Sequence, residues 1–199
     1  MTRKKKAVLY PVFFMMGIAA FYTLMLALIN EASIGRIQEQ EAFRQKQTIL
    51  YVLNQEVPAD EAALNEAFDR LIQPEKSYFK AVEKDKVLGY AFPIEGPGLW
   101  GSMSGYAAID AEGTKLLGLD IPVHSETPGL GGRIEEPWFK EQFRNIPLKP
   151  PGQDSFVFKP AAAGNVDAIT GATQTSEAVR KLLSEDTASF VQQLKGENK

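Results

Sequence analysis

The stretch Asp167-Ala-Ile-Thr-Gly-Ala-Thr-Gln-Thr-Ser176 joins a short apolar segment to an amphipathic helix. Residues 166–169 predict a strand that breaks at Gly171. Ser176, followed by Glu177, predicts the N-cap of the helix. Small and hydroxyl-bearing residues are therefore expected to form a turn at the start of a core-packing helix. In that helix apolar residues recur close to helical spacing, at Val179, Leu182, Leu183, Phe190, Val191 and Leu194.

A turn of this composition is suited to binding a phosphate group. Small residues let a phosphate approach the backbone, and the free N–H groups and the positive dipole end of the helix attract it. The alternative is an ordinary strand-to-helix turn whose hydroxyls only cap the helix. Spacing leaves both interpretations open, and it does not choose between the hydroxyls of Thr173 and Thr175.

The N-terminal region contains an uncharged, mostly apolar run of 23 residues, from 7 to 29. As a helix it would be about 34 Å long, enough to span the hydrocarbon core of a bilayer. A signal peptide is the alternative, but the run is longer than the usual apolar region and no small-residue cleavage site follows it. Residues 3–6 are all basic and Glu31 follows the run. Residues 1–6 are therefore expected in the cytoplasm and the main domain outside it.

The composition excludes several functional classes. The 199 residues allow one domain with a hydrophobic core beside the anchor. Without the four leader charges, 18 basic side chains face 25 acidic ones, so the exported part carries a formal charge of −7. This acidity argues against nucleic-acid binding. The absence of cysteine excludes disulfides, thiolate catalysis and iron–sulfur clusters within the chain, and a single histidine excludes a multi-histidine metal site.

The pattern predicts an α+β domain over residues 58–199, preceded by a helical stalk over 30–57 that acts as a spacer. One helix is expected to start near Pro58 and to end before Pro74, and a short one to start near Pro137 with Trp138, Phe139 and Phe143 packing inward. Lys149-Pro-Pro-Gly152 reads as a linker. Two hairpins and one further segment predict a largely antiparallel sheet, with strands at 78–82, 87–92, 103–109, 116–123 and 155–159.

Two glycine-rich loops are more specialised than connectors. Ile94-Glu-Gly-Pro-Gly-Leu-Trp-Gly101 presents Trp100, which is expected either to fill the core or to form a wall for a flat ligand. His124-Ser-Glu-Thr-Pro-Gly-Leu-Gly-Gly132 combines three glycines with a proline, so it is expected to hold its backbone rigidly beside a ligand. Glu126 and Thr127 offer polar groups at its rim. His124 is expected to be a structural hydrogen-bonding residue.

Two motifs together resemble a known family. Asp167-x-x-Thr170-Gly-Ala-Thr173 is similar to the acceptor motif that flavin transferases recognise in the proteins they modify. These enzymes join FMN through a phosphoester to the last threonine of the motif. His124-x-Glu-Thr-Pro-Gly-Leu-Gly131 resembles a loop in FMN-binding subunits of two respiratory complexes. These are the C subunit of the sodium-translocating NADH:quinone oxidoreductase and the G subunit of the Rnf ferredoxin:NAD oxidoreductase. The order of anchor, exported domain, loop and acceptor motif is similar over nearly the whole chain.

The resemblance implies a role for each matching residue. Thr173 would carry the esterified FMN, a flavin transferase would read Asp167 and Thr170, and Gly171 and Ala172 would allow close approach. Thr170 stands where the family frequently has Ser, which preserves a hydroxyl. Thr175 is a second hydroxyl at the site. The loop residues that would lie near the isoalloxazine are Glu126, Thr127, Leu130 and Gly131.

The same resemblance implies an electron-transfer protein anchored in the bacterial inner membrane, with the other membrane subunits of its complex as partners. Without a Gly-x-Gly-x-x-Gly fingerprint on a βαβ unit, the chain is not expected to oxidise NADH alone, and its redox chemistry is expected to belong to the flavin. Gly98-Leu-Trp-Gly101 followed by Met103-Ser-Gly-Tyr106 favours the C subunit of the sodium pump, whereas the short length favours the G subunit of Rnf; the former is preferred. An exported flavin-domain sensor and a structural assembly protein with an empty flavin site are the alternatives.

Overall fold

The structure, a computed structural model, describes residues 3–150 and 153–197. Pro151 and Gly152 of the predicted linker lie outside the described residues. The chain divides into two compact units, one ending at Arg44 and the other starting at Gln45. The predicted boundaries of leader, anchor, stalk and domain stay predictions.

The first helix, α1, runs over Arg3–Val52. The predicted apolar helix and its predicted helical continuation therefore form one element. Its apolar side chains, among them Phe13, Phe14 and Leu26, are exposed. In the described part of the chain, this helix alone is long and apolar enough to cross a membrane. An apolar helix surface that no protein covers is what a membrane span presents to lipid.

The second unit begins with the last turns of α1. Arg144 secures the end of this helix, because its Nη1 donates to the carbonyl oxygen of Tyr51 at 2.9 Å and to that of Leu117 at 3.0 Å. The carbonyls of a last helical turn need such external donors. The end of the segment expected to be a spacer thus belongs to the core of the domain, where it buries Ile49, Leu50, Val52 and Leu53.

The helix predicted after Pro58 is confirmed as α2, Glu61–Leu71. Asp60 is its N-cap and accepts a hydrogen bond from the Ala63 N–H at 3.0 Å. Leu64, Phe68 and Leu71 are buried, because residues three and four apart share one helical face.

The predicted antiparallel sheet is confirmed and has six strands in the described residues, in the order β1-β2-β3-β4-β5-β6. Both predicted hairpins are present, and β3 continues through the first part of the loop expected at residues 94–101. The two outer strands, β1 and β6, were not predicted. They have only three and two residues respectively, which is too short to show an alternation of apolar and polar residues. The strands are β1 Ile72–Pro74, β2 Phe79–Glu83, β3 Lys86–Pro97, β4 Ser102–Asp110, β5 Lys115–Val123 and β6 Ile146–Pro147.

The two faces of the sheet pack against different helices. The last helix, α4, spans Thr173–Glu197 and stacks Phe190 on Phe92 of β3, with ring centroids 4.2 Å apart. On the other face, a Cβ added at Gly89 of β3 would lie 3.4 Å from Leu53, which follows α1, and one at Gly118 of β5 would lie 3.0 Å from the Cα of Val52, the last residue of α1. Because successive strand residues point to opposite faces, one strand contributes to both packed layers. The fold is therefore α+β, as predicted.

The strands predicted at 155–159 and 166–169 are wrong. Their only sheet-like contact among the described residues is one parallel bridge between Phe158 and Val166. Backbone hydrogen bonds join the two segments only around this bridge, where the Lys159 N–H donates to the Val166 carbonyl at 3.0 Å and the Val166 N–H donates to the Val157 carbonyl at 3.2 Å. Side chains serve other backbone groups, since Asn165 Oδ1 accepts from the Val157 N–H at 2.9 Å and Ser176 Oγ accepts from the Ile169 N–H at 3.0 Å. Phe156, Val166 and Ile169 are buried there, but without a strand ladder.

Two helix predictions also need correction. Helix α4 starts at Thr173, so Ser176 lies within the first turn rather than at the N-cap. The short helix α3, Pro137–Glu141, is confirmed, and Phe139 and Phe143 are fully buried as expected. Trp138 is 39% exposed instead of packed inward, and its ring lies beside the Arg133 guanidinium, 5.2 Å from centroid to Cζ.

Candidate functional site

The acceptor motif forms a turn that leads into α4. Gly171 adopts a φ of +79°, a left-handed conformation that favours glycine. The Ala172 N–H donates to the Ile169 carbonyl at 2.9 Å, which closes the turn. Thr173 follows as the first residue of α4, and both Thr173 and Thr170 are exposed. The turn therefore presents two hydroxyl-bearing residues to solvent at a helix N-terminus.

The first turn of α4 favours an anion. No acidic residue lies in this turn, so no carboxylate of the helix itself competes for its N–H groups. The free N–H groups and the dipole of a 25-residue helix attract negative charge at this end. A phosphate attached to the first residue would lie in this field.

Thr175, two residues further on, has a different environment. Its side chain is only 1% exposed. Its hydroxyl donates to Glu126 Oε2 at 2.6 Å. The two hydroxyls that spacing did not separate are thus distinct, because Thr173 is open to solvent and Thr175 is engaged in the interior.

Glu126 joins three parts of the domain. Its other carboxylate oxygen, Oε1, accepts from the N–H of Leu99 at 2.7 Å and from that of Trp100 at 3.2 Å. The side chain is 5% exposed. Its carboxylate therefore links the loop after β5 to the turn between β3 and β4 and to the first turn of α4.

Two glycines border this carboxylate. A Cβ at Gly98 would lie 2.5 Å from Glu126 Oε1, and one at Gly131 would lie 2.7 Å from Oε2 and 2.6 Å from Thr175 Oγ1. All three distances are far below van der Waals contact, so the glycines make room for the carboxylate. Gly98 was not predicted as a site residue, although its position in a glycine-rich loop was the available signal.

Exposed apolar side chains surround the turn between β3 and β4 and the loop after β5. Trp100 is 68% exposed, which rules out a role as a core plug. Leu99 and Leu130 are also exposed, and a Cβ at Gly171 would lie 3.4 Å from Leu130 Cδ2. Leu130 therefore brings part of this apolar surface next to the acceptor turn.

The loop that follows β5 is held by its own backbone. The carbonyl of Thr127 accepts from the N–H groups of Leu130 at 3.1 Å and Gly132 at 3.0 Å. Thr127 is exposed at the rim of the loop, whereas Gly131 is buried as the first residue of a 3-10 turn, Gly131–Glu135. The expectation of a rigid loop agrees with this geometry.

His124 makes structural contacts. Its Nδ1 accepts from the Glu126 N–H at 3.1 Å, and its Nε2 lies 2.8 Å from Glu135 Oε1. An accepting Nδ1 assigns the proton of the neutral ring to Nε2, which faces Glu135. The residue thereby connects the two ends of the loop.

Asp167, at the start of the acceptor motif, lies on the surface. Its carboxylate pairs with Lys159 Nζ at 3.1 Å, and both side chains are more than half exposed. Its N–H donates to Gln142 Oε1 at 2.6 Å, which fixes the backbone. The carboxylate is thus accessible to another protein. Across the described residues, no group of three or more His, Asp or Glu side chains is arranged to hold a metal ion.

Comparison with known proteins agrees with the fold and identifies a family. Residues 98–185 match the family described as FMN-binding domain. The G subunit of an ion-translocating oxidoreductase complex from Methanosarcina acetivorans is 31% identical over 166 residues, covering 83% of this chain and 85% of that protein. The C subunit of the Na(+)-translocating NADH-quinone reductase from Chlamydia trachomatis is 34% identical over 119 residues, covering 49% of this chain and 38% of that protein.

A solved structure shares the architecture. The crystal structure of the C subunit of the Na(+)-translocating NADH-quinone reductase from Parabacteroides distasonis aligns with a TM-score of 0.66 and 25% identity, covering 78% of this chain and 94% of that one. The sheet, the α4 turn and the matched region define an FMN-binding domain. The chain belongs to the family of such domains found in the G subunits of ion-translocating oxidoreductase complexes and the C subunits of Na(+)-translocating NADH-quinone reductases. The resemblance noted from the two motifs is confirmed.

Proposed function

We propose that this chain is a membrane-anchored electron-transfer subunit that carries FMN through a phosphoester to Thr173. It relays electrons within an ion-translocating oxidoreductase complex. The FMN-binding-domain match and the relatives that are subunits of such complexes support this proposal. The flavin supplies the redox chemistry, while the protein sets its position and surroundings.

The observation that carries the proposal is the contrast between two threonines. Thr173 is exposed, whereas Thr175 is buried and donates to Glu126. A transferase needs an accessible hydroxyl, so only Thr173 of this pair is open to modification without unfolding the turn. Thr170 is also exposed, but it precedes Gly171 and lies outside the helix.

The residues around Thr173 fit a phosphate and a flat ring. The helix N-terminus favours the phosphate charge, and Gly171 allows backbone approach. Exposed Leu99, Trp100 and Leu130 offer apolar and aromatic surface for the isoalloxazine, which needs flat contacts with few polar groups. Glu126, Thr127 and Gly131 shape the loop that presents Leu130.

The membrane arrangement proposed from the sequence places residues 1–6 in the cytoplasm, 7–29 as a single span of the bacterial inner membrane and 58–199 as the flavin domain outside. The segment 30–57 connects them, and its last part, from Gln45 onward, belongs to the same compact unit as the flavin domain. A covalent ester keeps the cofactor on the extracytoplasmic side, where dissociated FMN would be lost. A flavin transferase is the proposed maturation partner, and Asp167 and Thr170 are its proposed recognition residues.

Two observations favour different complexes for this chain. The Gly98-Leu-Trp-Gly101 stretch favours the C subunit of the sodium pump. The length of the sequence match favours the G subunit of Rnf, since the match to the Methanosarcina protein covers 85% of that protein and the match to the Chlamydia protein covers 38%. Purification with associated membrane subunits decides between them, and isolation without redox subunits would favour a sensor.

The test of attachment uses the full chain produced with and without an active flavin transferase. We expect fluorescent protein with a mass gain of one FMN less one water on the Thr173 peptide, only when transferase is present. Thr173→Ala should fold but carry no covalent flavin, and Thr173→Ser should restore attachment because it keeps a hydroxyl. Thr175→Ala should still be flavinylated. Flavin on Thr173→Ala, or an unmodified parent protein beside an active transferase, would overturn the proposal.

A further inference from the structure

We propose that Glu126 is a positioning residue that fixes Trp100 relative to the acceptor turn at Thr173, rather than a residue that contacts the flavin. The inference deepens the proposed function, because the distance it sets matters for a flavin attached at Thr173.

The carboxylate of Glu126 is already occupied by groups of its own chain. Three donors use its two oxygens: the N–H groups of Leu99 and Trp100 at Oε1, and the Thr175 hydroxyl at Oε2. With 5% of the side chain exposed, little of it is left for a ligand. Because an ionised carboxylate only accepts hydrogen bonds, three donors match its capacity well.

The groups that Glu126 joins are far apart in sequence. Leu99 and Trp100 precede it by 27 and 26 residues, and Thr175 follows it by 49. The first two lie at the tip of the β3–β4 hairpin, which is closed by a hydrogen bond from the Gly98 N–H to the Gly101 carbonyl at 2.7 Å. Thr175 lies in the first turn of α4. One carboxylate therefore couples the tip that bears Trp100 to the helix that starts with Thr173.

The position of the carboxylate is fixed at several points. The Glu126 N–H donates to His124 Nδ1 at 3.1 Å, which holds its backbone. Gly98 and Gly131 border the carboxylate so closely that a Cβ at either residue would clash with it. A carboxylate with its backbone, its neighbours and its donors all fixed can hold the Trp100 backbone in place, and this limits the motion of the exposed indole that the backbone carries.

The test measures the motion of Trp100 in protein that contains no flavin. The full chain in detergent is produced without a transferase and with Trp138→Phe, which leaves Trp100 as its only tryptophan because the sequence has two. Time-resolved fluorescence anisotropy then reports nanosecond motion of that indole. Glu126→Ala should enlarge the amplitude of fast depolarisation. Glu126→Gln should have an anisotropy decay close to that of the parent. Its amide oxygen still accepts from the N–H groups of Leu99 and Trp100, and its amide nitrogen can donate to the Thr175 hydroxyl.

Ser176→Ala is the matched control. Ser176 is buried in the same turn, but its hydroxyl bonds to Ile169 and Ala172 rather than to Glu126. The control should lower the melting temperature without loosening Trp100. Unchanged anisotropy in folded Glu126→Ala, or equal loosening in Ser176→Ala, would overturn the proposal. If Glu126→Ala does not fold, Thr175→Val replaces it; partial loosening supports the proposal and unchanged anisotropy overturns it.

A second measurement uses flavinylated protein. Indoles quench flavin emission at short range, so Glu126→Ala should raise the emission per attached flavin while the mass gain on the Thr173 peptide persists. If no flavin attaches to the parent, the proposed function fails while the anisotropy result on flavin-free protein still stands. The two failures are therefore distinguishable.

Discussion

The hydroxyl of Thr175 donates to Glu126 Oε2 at 2.6 Å, although the two residues are 49 positions apart. This bond holds the Thr175 hydroxyl away from solvent, whereas Thr173, two residues earlier at the end of the acceptor motif, is exposed. It also fixes the first turn of α4 against the loop after β5. One buried hydrogen bond thus contributes both to the shape of the site and to the difference in exposure between Thr173 and Thr175.

Thr175→Val should destabilise the domain without preventing flavin attachment. The change keeps the shape but leaves a buried carboxylate oxygen without its donor, which costs about 1–3 kcal/mol. Thermal unfolding followed by circular dichroism measures the loss. Thr170→Val, at an exposed hydroxyl, should change stability by no more than about 0.5 kcal/mol. Loss of attachment in a folded Thr175→Val protein would contradict the assignment of Thr173.

Gly131→Ala should also lower stability. Its Cβ would lie 2.6 Å from Thr175 Oγ1 and 2.7 Å from Glu126 Oε2, so both groups must move; overpacking of this kind costs about 1–3 kcal/mol. Chemical unfolding with urea measures the free-energy change. Gly132→Ala is the neighbouring control, since its Cβ would meet its nearest atom, the Thr127 carbonyl oxygen, at 3.3 Å. An equal or larger loss in the control would show that the carboxylate contact is not responsible.

Arg144→Met should weaken the junction between the end of α1 and the domain. The guanidinium is 13% exposed and donates to carbonyls of Tyr51 and Leu117. Leaving these part-buried carbonyls unpaired should cost about 1 kcal/mol or more.

Arg180→Met provides the matched control for that junction. Arg180 pairs with two carboxylates, those of Glu177 and Asp154. The Arg180 side chain is 23% exposed, and both of these carboxylates are exposed. A surface pair of this kind is worth about 0–1 kcal/mol. Equal melting temperatures for the two variants would refute the role given to Arg144.

The Tyr51 phenol should lose its proton at an unusually high pH. Burial, followed by its hydrogen bond to Glu141 and the charge of that carboxylate, raises the pKa of Tyr51 to about 12 from 10.0. Since the folded state keeps the phenol proton where the unfolded chain releases it, this contribution to stability is complete below pH 10 and is lost as the pH rises through about 12. The melting-temperature difference between the parent and Tyr51→Phe should therefore narrow across that window.

The ultraviolet absorbance of phenolate measures the same group directly. The difference between the titrations of the parent and Tyr51→Phe isolates a single tyrosine. A midpoint for this tyrosine near 10.0 would contradict the raised pKa.

Periodicity predicted the elements that repeat a pattern over several turns or pairs. Helix α2, the core face of α4 and the two hairpins follow from apolar spacing, because burial of one face requires it. The same reliance on apolar pattern produced the wrong strand predictions at 155–159 and 166–169. Their apolar residues, including Phe156, Val166 and Ile169, are buried, yet burial alone does not say whether the backbone pairs with a strand or with side chains such as Asn165 and Ser176.

The sequence by itself determined the α+β class, the apolar N-terminal helix and the family, because composition, spacing and short motifs are local properties. The proposed choice of Thr173 rested on the family motif, since Thr173 and Thr175 have the same chemistry. Only the tertiary structure separated their environments, by bringing Glu126 to one hydroxyl and leaving the other in solvent. It likewise decided that Glu126 bonds to the backbone of Leu99 and Trp100. Such contacts join residues 26 to 49 positions apart, and they exist only once the sheet and α4 have packed together.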